Sequence, residues 1–292
     1  MAKSVSLFAC AKVNLYLEVV GKRPDGYHDL LTLFERIDLA DEITVEEIPG
    51  GRIELTCDDP DLPCDGANLA VRAAEGYRRA IGSAQGFRIL LRKRIPVGAG
   101  LGGGSSDAAA TLQGLQQLTG DGLPAADLLT VAKGLGADVP FFLTQTPWAL
   151  GKGRGDECEP LGIDTHLWHL LVFPRFPIST KSVYQALTPS GRLTPSGGDV
   201  TLLTRALRDS DVSRVPDLLF NALEPTVETL YPAIRDVKSA IRTAGGQLRP
   251  IVSGSGSTVM ALCLSRAQAQ EAARALKERR PQWQWFVAGT RD

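Results

Sequence analysis

Apolar and polar residues alternate along much of the first hundred positions. Val13, Leu15, Leu17 and Val19 interleave with Lys12, Asn14, Tyr16 and Glu18, the period-two pattern of a half-buried strand. Runs of β-branched and aromatic residues between turn formers predict further strands over 4–10, 30–39, 42–48, 52–57 and 87–95. One helix interrupts them over 68–81, where Leu69, Ala73, Ala74, Tyr77 and Ile81 share a face. From residue 105 the period becomes helical: Ala108, Leu112, Leu115 and Leu118 recur over 105–118, and Leu128, Leu129, Val131 and Ala132 over 124–134. The glycine-rich, charged stretch 151–156 reads as a loop and a domain boundary. A strand over 167–173 follows, then helices over 180–187, 201–208 and 230–244. Residues 188–198, with Pro189, Pro195 and three glycines, read as a surface loop. The chain ends in a strand (248–252), a Ser/Gly loop, a strand (258–264), a helix (267–279) and a strand (283–287). Strands, then helices, then a terminal β-β-α-β set predict an α+β protein with two lobes.

Length and charge narrow the function classes. The 292 residues suggest about two domains. The 32 basic residues are balanced by 33 acidic ones, whereas binding to nucleic acid or a membrane surface calls for a basic excess. The longest uncharged stretch, 250–265, is rich in Ser and Gly and too short to span a bilayer. Ala9-Cys10-Ala11 imitates a signal-cleavage site, but the apolar run before it is short and strand-like alternation follows. These features predict a cytoplasmic protein. Cys10, Cys57, Cys64, Cys158 and Cys263 form no C-x-x-C pair, which fits reduced thiols rather than a disulfide framework or a metal site. His166 and His169 make a lone H-x-x-H pair, read as surface and core filler, so no metal site is predicted.

The strongest chemical signal is Pro96-Val97-Gly98-Ala99-Gly100-Leu101-Gly102-Gly103-Gly104-Ser105-Ser106, which ends a strand and opens a helix. Five glycines let the backbone turn tightly and bring its N–H groups close to a ligand. The helix behind offers unpaired N–H groups and the positive end of its dipole to an anion, of which phosphate is the natural one. A flexible turn capped by Ser105 or Ser106 is the bland alternative. The Walker A ending Gly-Lys-[Ser/Thr] is absent, and no acidic-ended strand follows as a dinucleotide fingerprint requires. The H-R-D and D-F-G strings of protein kinases are absent too.

Three further segments join this one. Gly136-Ala137-Asp138-Val139-Pro140 sets a carboxylate in an apolar turn, and Ser253-Gly254-Ser255-Gly256-Ser257 is a second glycine loop. Ala11-Lys12-Val13-Asn14 precedes Arg23-Pro24-Asp25-Gly26-Tyr27-His28. Taken in chain order, the segments resemble the signatures of the GHMP kinases (galactose, homoserine, mevalonate and phosphomevalonate kinases). Within that family they are most similar to the branch acting on a cytidine-diphosphate-linked methylerythritol. The stretches Asn221-Ala222-Leu223-Glu224-Pro225 and Ile178-Ser179-Thr180-Lys181-Ser182-Val183-Tyr184 fit the same branch.

The resemblance implies a two-lobed GHMP kinase fold. Its N-terminal ribosomal-protein-S5-like lobe, residues 1–160, would bind ATP, and its C-terminal ferredoxin-like lobe would span residues 161–292. The implied reaction transfers a phosphoryl group from ATP to the 2-hydroxyl of 4-diphosphocytidyl-2-C-methyl-D-erythritol, in the non-mevalonate route to isoprenoid precursors. Asp138 matches the catalytic proton acceptor. Lys12 matches the lysine that favours its ionised form and neutralises charge on the phosphoryl oxygens. The loop Pro96 to Ser106 matches the ATP phosphate site, and Asn68 a position near adenine. Asn14, Tyr27, His28, Thr180, Tyr184, Gly254 and Ser255 match the substrate site, with Tyr27 and Tyr184 as the base-recognition pair and Tyr184 stacking on the other face of cytosine. Mg²⁺ is implied by the ATP chemistry, with no protein ligand assigned, and the expected assembly is a monomer or weak homodimer.

Each residue also has a plainer use. Asp138 could cap a turn, Lys12 could face solvent, Tyr27 and His28 could be loop surface, and Tyr184 could be core. Arg88, Arg92, Lys93 and Arg94 read as a solvated strand face, with a secondary role in steering phosphate as the alternative. Two other functions stay open: a kinase for a different small alcohol, and a catalytically silent ATP-binding module.

Overall fold

The computed structural model describes residues 3–120, 122–144, 146–187 and 198–291. In chain order the elements begin β1 (Ser4–Lys22), β2 (His28–Ile48), β3 (Ile53–Cys57), α1 (Leu69–Ala80), β4 (Gly86–Arg92), α2 (Gly103–Thr119), α3 (Ala125–Leu135) and α4 (Val139–Leu143). Next come β5 (Trp148–Lys152), β6 (Glu157–Pro160), β7 (Trp168–Phe173), α5 (Thr180–Ala186), α6 (Val200–Arg208), α7 (Val215–Leu218), β8 (Phe220–Asn221) and α8 (Glu224–Leu230). The chain closes with α9 (Ala233–Gly245), β9 (Pro250–Val252), β10 (Val259–Cys263), α10 (Arg266–Arg279) and β11 (Gln284–Gly289). The expected loop over 188–198 lies outside the described residues, Gly198 excepted.

Four predicted strands merge into two, because neither Gly nor Pro breaks the ladder where the alternation falters, at Ala11 and at Ala40-Asp41. The expected half-buried strand over 12–20 is corrected as well. Lys12, Asn14 and Tyr16 are 4%, 2% and 1% exposed, so both faces of β1 are covered there. The loop expected over 151–156 is shorter: Gly151 and Lys152 belong to β5, opposite Cys158 and Glu157, residues 153–156 turn the antiparallel hairpin, and β5 pairs in turn with β2. The helix expected from residue 230 starts at Ala233, because α8 ends at Leu230 and Pro232 begins the next helix.

The chain divides into two compact units, each drawn from several segments. One comprises Met1–Ala11, Ala40–Ile95 and Gly102–Gln145; the other comprises Lys12–Leu39, Pro96–Leu101 and Thr146–Asp292. In the first unit, residues 42–48 of β2 pair antiparallel with β4, and β3 runs parallel to β4 on the far side. Helix α1 packs on α2, and its small side chains Ala70, Ala73 and Ala74 are fully buried. Asn68 caps α1 by accepting from the Ala70 N–H, an arrangement that stabilises a helix by about 1 kcal/mol.

In the second unit β7, β9, β10 and β11 form an antiparallel sheet in the order β11-β7-β10-β9. With α9 and α10 they make the β-α-β-β-α-β arrangement of a ferredoxin-like lobe. Leu170, Val172, Val237, Ile241, Val259, Ala261, Ala273 and Leu276 form its core. Strand β8 pairs in parallel with β1, Tyr16 opposite Phe220 and Leu17 opposite Asn221. The mixed α+β architecture matches the expectation.

Candidate active site

The stretch after β4 is a loop built by its glycines. Gly98, Gly100 and Gly102 all have φ near +70° (64°, 77° and 72°), a region that strains other residues. Its carbonyls are tied down one by one. Gly98 O accepts from Ile178 N (3.1 Å), Ala99 O from Thr258 N (3.1 Å), and Leu101 O from Lys12 N (3.0 Å). Gly100 O accepts from Lys12 Nζ (3.1 Å) and Ser253 Oγ (3.3 Å). In a trans peptide the N–H points opposite to the C=O, so the N–H groups of residues 99 to 102 turn away from these partners. A Cβ on Gly100 would lie 2.9 Å from Gly256 O and closer still to Ser253 O, so the two glycine loops meet backbone to backbone.

Helix α2 starts earlier than its sequence pattern indicates, at Gly103. Its N-cap is the left-handed Gly102, with no side-chain cap among the described residues. The reading of Ser105 or Ser106 as cap is thereby corrected: both lie in the first turn, and Ser106 Oγ instead donates to Cys10 O at 2.6 Å. Among the described residues, no side chain caps the first N–H groups of α2, as an anion site requires.

Lys12 is buried rather than solvent-facing. Its Nζ donates to Asn14 Oδ1 (2.6 Å) and to Gly100 O (3.1 Å), and lies 5.7 Å from the centre of the Phe34 ring. Asn14 is held in turn, since its Nδ2 donates to Thr32 Oγ1 (2.8 Å), which donates to Tyr16 O (2.7 Å). Gly254 (φ 57°) comes so close that a Cβ there would lie 3.1 Å from Asn14 Oδ1 and 3.4 Å from Lys12 Nζ. A buried ammonium fixed by two acceptors beside two glycine loops is a device for holding positive charge at a defined point.

Asp138 is half-buried at the start of α4, and its side chain makes no capping bond to that helix. The turn lies against the start of α2, where a Cβ on Gly136 would lie 3.7 Å from Ser105 Oγ. Asn68 is engaged at both ends of its amide, accepting from Ala70 N and donating to Pro63 O (2.9 Å).

The reading of residues 88–94 as a solvated face holds for its arginines and fails for Lys93. Arg88 pairs with Glu46 and Glu54, and Arg92 and Arg94 pair with Glu42, at the surface. The Lys93 side chain is 7% exposed and bridges the carboxylates of Asp41 and Asp107. Period two foretells this, since Lys93 is in phase with the inward Phe87, Ile89 and Leu91. Burial works against the Lys93 ammonium, but Asp107 and Asp41 outweigh it and raise its pKa. Burial pushes the Asp107 carboxyl up to about 7, against the pull of Lys93, and its Oδ1 finds no hydrogen-bond partner among the described residues.

The aromatic residues form two contacts rather than one. The His28 and Tyr184 rings lie 5.3 Å apart, tilted by 30°, and Tyr184 also borders the apolar core. Tyr27 is 57% exposed, and the Arg154 guanidinium sits 5.3 Å from its ring centre. Burial, and then the charge of Lys22, lowers the His28 pKa, so its imidazole is neutral at pH 7 and can both donate and accept. Thr180 and Ser255 share a hydroxyl hydrogen bond of 2.8 Å, joining α5 to the second glycine loop. His169, the core half of the H-x-x-H pair, is fully buried against Glu35 (2.8 Å).

Comparison with known proteins identifies the family. The GHMP kinase N-terminal domain matches residues 68–146 and the GHMP kinase C-terminal domain residues 199–282. The chain is 42% identical over 291 residues to a 4-diphosphocytidyl-2-C-methyl-D-erythritol kinase of Geobacter sp. (strain M21), covering 99% of each. This chain belongs to that kinase family, within the GHMP kinases. It is a small-molecule phosphotransferase, with ATP as phosphate donor. A crystal structure of a 4-(cytidine 5'-diphospho)-2C-methyl-D-erythritol kinase superposes with a TM-score of 0.81 at 37% identity, covering 98% of both chains. A homoserine kinase from Cytophaga hutchinsonii, 24% identical with a TM-score of 0.77 over 99% of this chain and 94% of its own, shares the fold. Among the described residues no helix is long and apolar enough to cross a membrane.

Sequence reasoning missed Thr32, Lys93, Arg154 and the work of Asn221. Thr32 and Asn221 carried a signal, as polar side chains inside otherwise apolar strands. Arg154 carried none, since its place over Tyr27 depends on the β5–β6 hairpin.

Proposed function

We propose that the protein transfers the γ-phosphoryl group of ATP to the 2-hydroxyl of 4-diphosphocytidyl-2-C-methyl-D-erythritol. The observation that carries this reading is the buried Lys12, fixed by Asn14 Oδ1 and Gly100 O beside both glycine loops. Silent ATP binding gives no reason to bury and orient that charge. The loop Pro96 to Ser106 holds the ATP phosphates through the N–H groups of residues 99 to 102 and the uncapped start of α2. Asp138 accepts the proton of the attacking hydroxyl, a contribution of about 10²–10⁴-fold. Lys12 neutralises the charge that builds on the phosphoryl oxygens, which with positioning is most of what phosphoryl transfer needs.

Cytosine stacks on Tyr184, on the ring face away from His28, because those two rings are already in contact. The neutral His28 imidazole reads the base edge. Tyr27, Asn14, Thr180, Gly254 and Ser255 complete the substrate contacts. Such aromatic surfaces suit a planar base and give a simple polyol nothing flat to hold.

Magnesium accompanies ATP in such chemistry. Among the described residues no cluster of three or more His, Cys, Asp or Glu could hold a metal ion. Mg²⁺ keeps several waters and binds through substrate phosphates, which fits a site that supplies backbone N–H groups, and no step is routed through it.

The test is ADP release, coupled to an indicator enzyme, with the cytidylylated methylerythritol, mevalonate, homoserine and galactose as acceptors. Turnover with the first alone is expected. Turnover with another alcohol in its place, or ATP binding without turnover, refutes the proposal.

A further inference from the structure

The segment Asn221-Ala222-Leu223-Glu224-Pro225 carries no assigned role, yet its two polar side chains converge on one strand end. Asn221 is 5% exposed. Its Nδ2 donates to Val252 O (2.7 Å) and to Gly254 O (2.8 Å), the carbonyls on either side of Ser253. Its Oδ1 accepts from Leu223 N at 2.9 Å, so neither end of the amide is spare. Glu224 Oε2 accepts from Val252 N at 2.7 Å, while its Oε1 and Glu228 are neutralised by the buried Lys238. Val252 is thus gripped at its N–H by Glu224 and at its C=O by Asn221.

What this grip positions is the second glycine loop. Gly254 lies against Lys12 Nζ and Asn14 Oδ1, and the Ser253 and Gly256 carbonyls lie against Gly100. Asn221 itself stands on β8, in register with Leu17 of the strand that carries Lys12 and Asn14, and Ala222 N donates to Leu17 O at 2.8 Å. One amide therefore ties the loop to the lysine's own strand.

We infer that Asn221 is a positioning residue for phosphoryl transfer, holding the second glycine loop in register with Lys12 and with the Gly100 turn. This rests on the proposed kinase reading. A buried amide donating to two carbonyls is a demanding arrangement, because loss of the donor leaves both acceptors unpaired. A carboxylate of the same shape goes further and sets negative charge against them.

The test compares wild type with Asn221→Asp in three measurements: steady-state kinetics with ATP and the cytidylylated substrate, CMP binding by calorimetry, and hydrogen exchange of peptides spanning 252–258. The turnover rate should drop at least tenfold at a temperature where the variant stays folded. CMP affinity should change less than twofold, and exchange over 252–258 should quicken while that over 105–118 holds. Asn221→Ser, which buries no charge, takes its place should Asn221→Asp not fold. A folded variant that turns over within twofold of wild type overturns the inference, and so does unchanged exchange over 252–258. Wild type that fails to phosphorylate the cytidylylated substrate refutes the kinase reading instead, and the exchange comparison then decides the grip on its own.

Discussion

Gly100→Ala probes the point where the two glycine loops meet. Gly100 has φ +77°, and holding alanine there costs about 1–2 kcal/mol. The added methyl would sit 2.9 Å from Gly256 O and nearer still to Ser253 O, both backbone atoms. No side chain can swing aside, so one loop must move by several tenths of an ångström or more. That movement breaks the register set by four carbonyls, those of residues 98 to 101. A displacement of about 1 Å in a reacting assembly costs about 10²-fold in rate, equivalent to about 2.7 kcal/mol. The expected outcome is a loss of roughly 100-fold in kcat/KM for ATP, with circular dichroism and CMP affinity close to wild type. Gly104→Ala is the control. Gly104 sits in the first turn of α2 without a positive φ, and its Cβ would meet Leu69 Cδ1 at 3.6 Å, an ordinary contact, so a much smaller effect is expected. ADP release titrated against ATP decides the matter. A folded Gly100→Ala protein whose kcat/KM for ATP stays within threefold of wild type refutes the backbone argument.

Three further substitutions test separate parts of the site. Asp138→Asn keeps the shape and removes the proton acceptor, so kcat should fall by about 10²–10⁴-fold with ATP affinity little changed, and near-full turnover would put the base elsewhere. Tyr184→Ala should raise KM for the cytidylylated substrate by about 5- to 150-fold, the equivalent of a stack of about 1–3 kcal/mol, while Tyr184→Phe stays mild. CMP should raise the melting temperature of wild type more than that of Tyr184→Ala, and equal shifts would assign Tyr184 to the core alone. The Asp107 carboxyl, raised to about 7 by burial, binds its proton more tightly folded than unfolded. Its contribution to stability is thus full below about pH 4 and fades as pH rises through about 7. The melting temperature of wild type, measured relative to Asp107→Asn, should fall between pH 5 and pH 8, and a constant difference would contradict it.

Much of the fold was legible because long elements show their period. The helices α1, α2, α3 and α10 fall within two residues of their expected bounds, and the terminal strand-loop-strand-helix-strand series completes the ferredoxin-like lobe around β7 and α9. The short elements α4, β5, β6, α7, β8 and α8, of two to seven residues, are too brief to show any period. Alternation also misleads where a strand is covered on both faces. It suggested that Lys12 and Asn14 face water, whereas both are buried. Lys93 shows the converse, since the period was there to be read and the neighbouring arginines drew attention to the surface. The contact of Gly100 with residues 253 and 256 joins positions about 150 apart in sequence. No local pattern could show that closeness; the glycines at both places only permit it.

The most direct test is the chemical structure of the product. Wild-type protein is incubated with ATP, Mg²⁺ and 4-diphosphocytidyl-2-C-methyl-D-erythritol, and the mixture is followed by phosphorus-31 NMR. Carbon 2 of the acceptor carries the methyl group and no hydrogen. A phosphoryl group on its hydroxyl should therefore give a new phosphomonoester signal without three-bond proton coupling, in step with the appearance of ADP. A monoester signal split by neighbouring protons would place the phosphoryl group on a different hydroxyl. ADP formed with no new monoester, or neither product at all, would contradict the transfer itself.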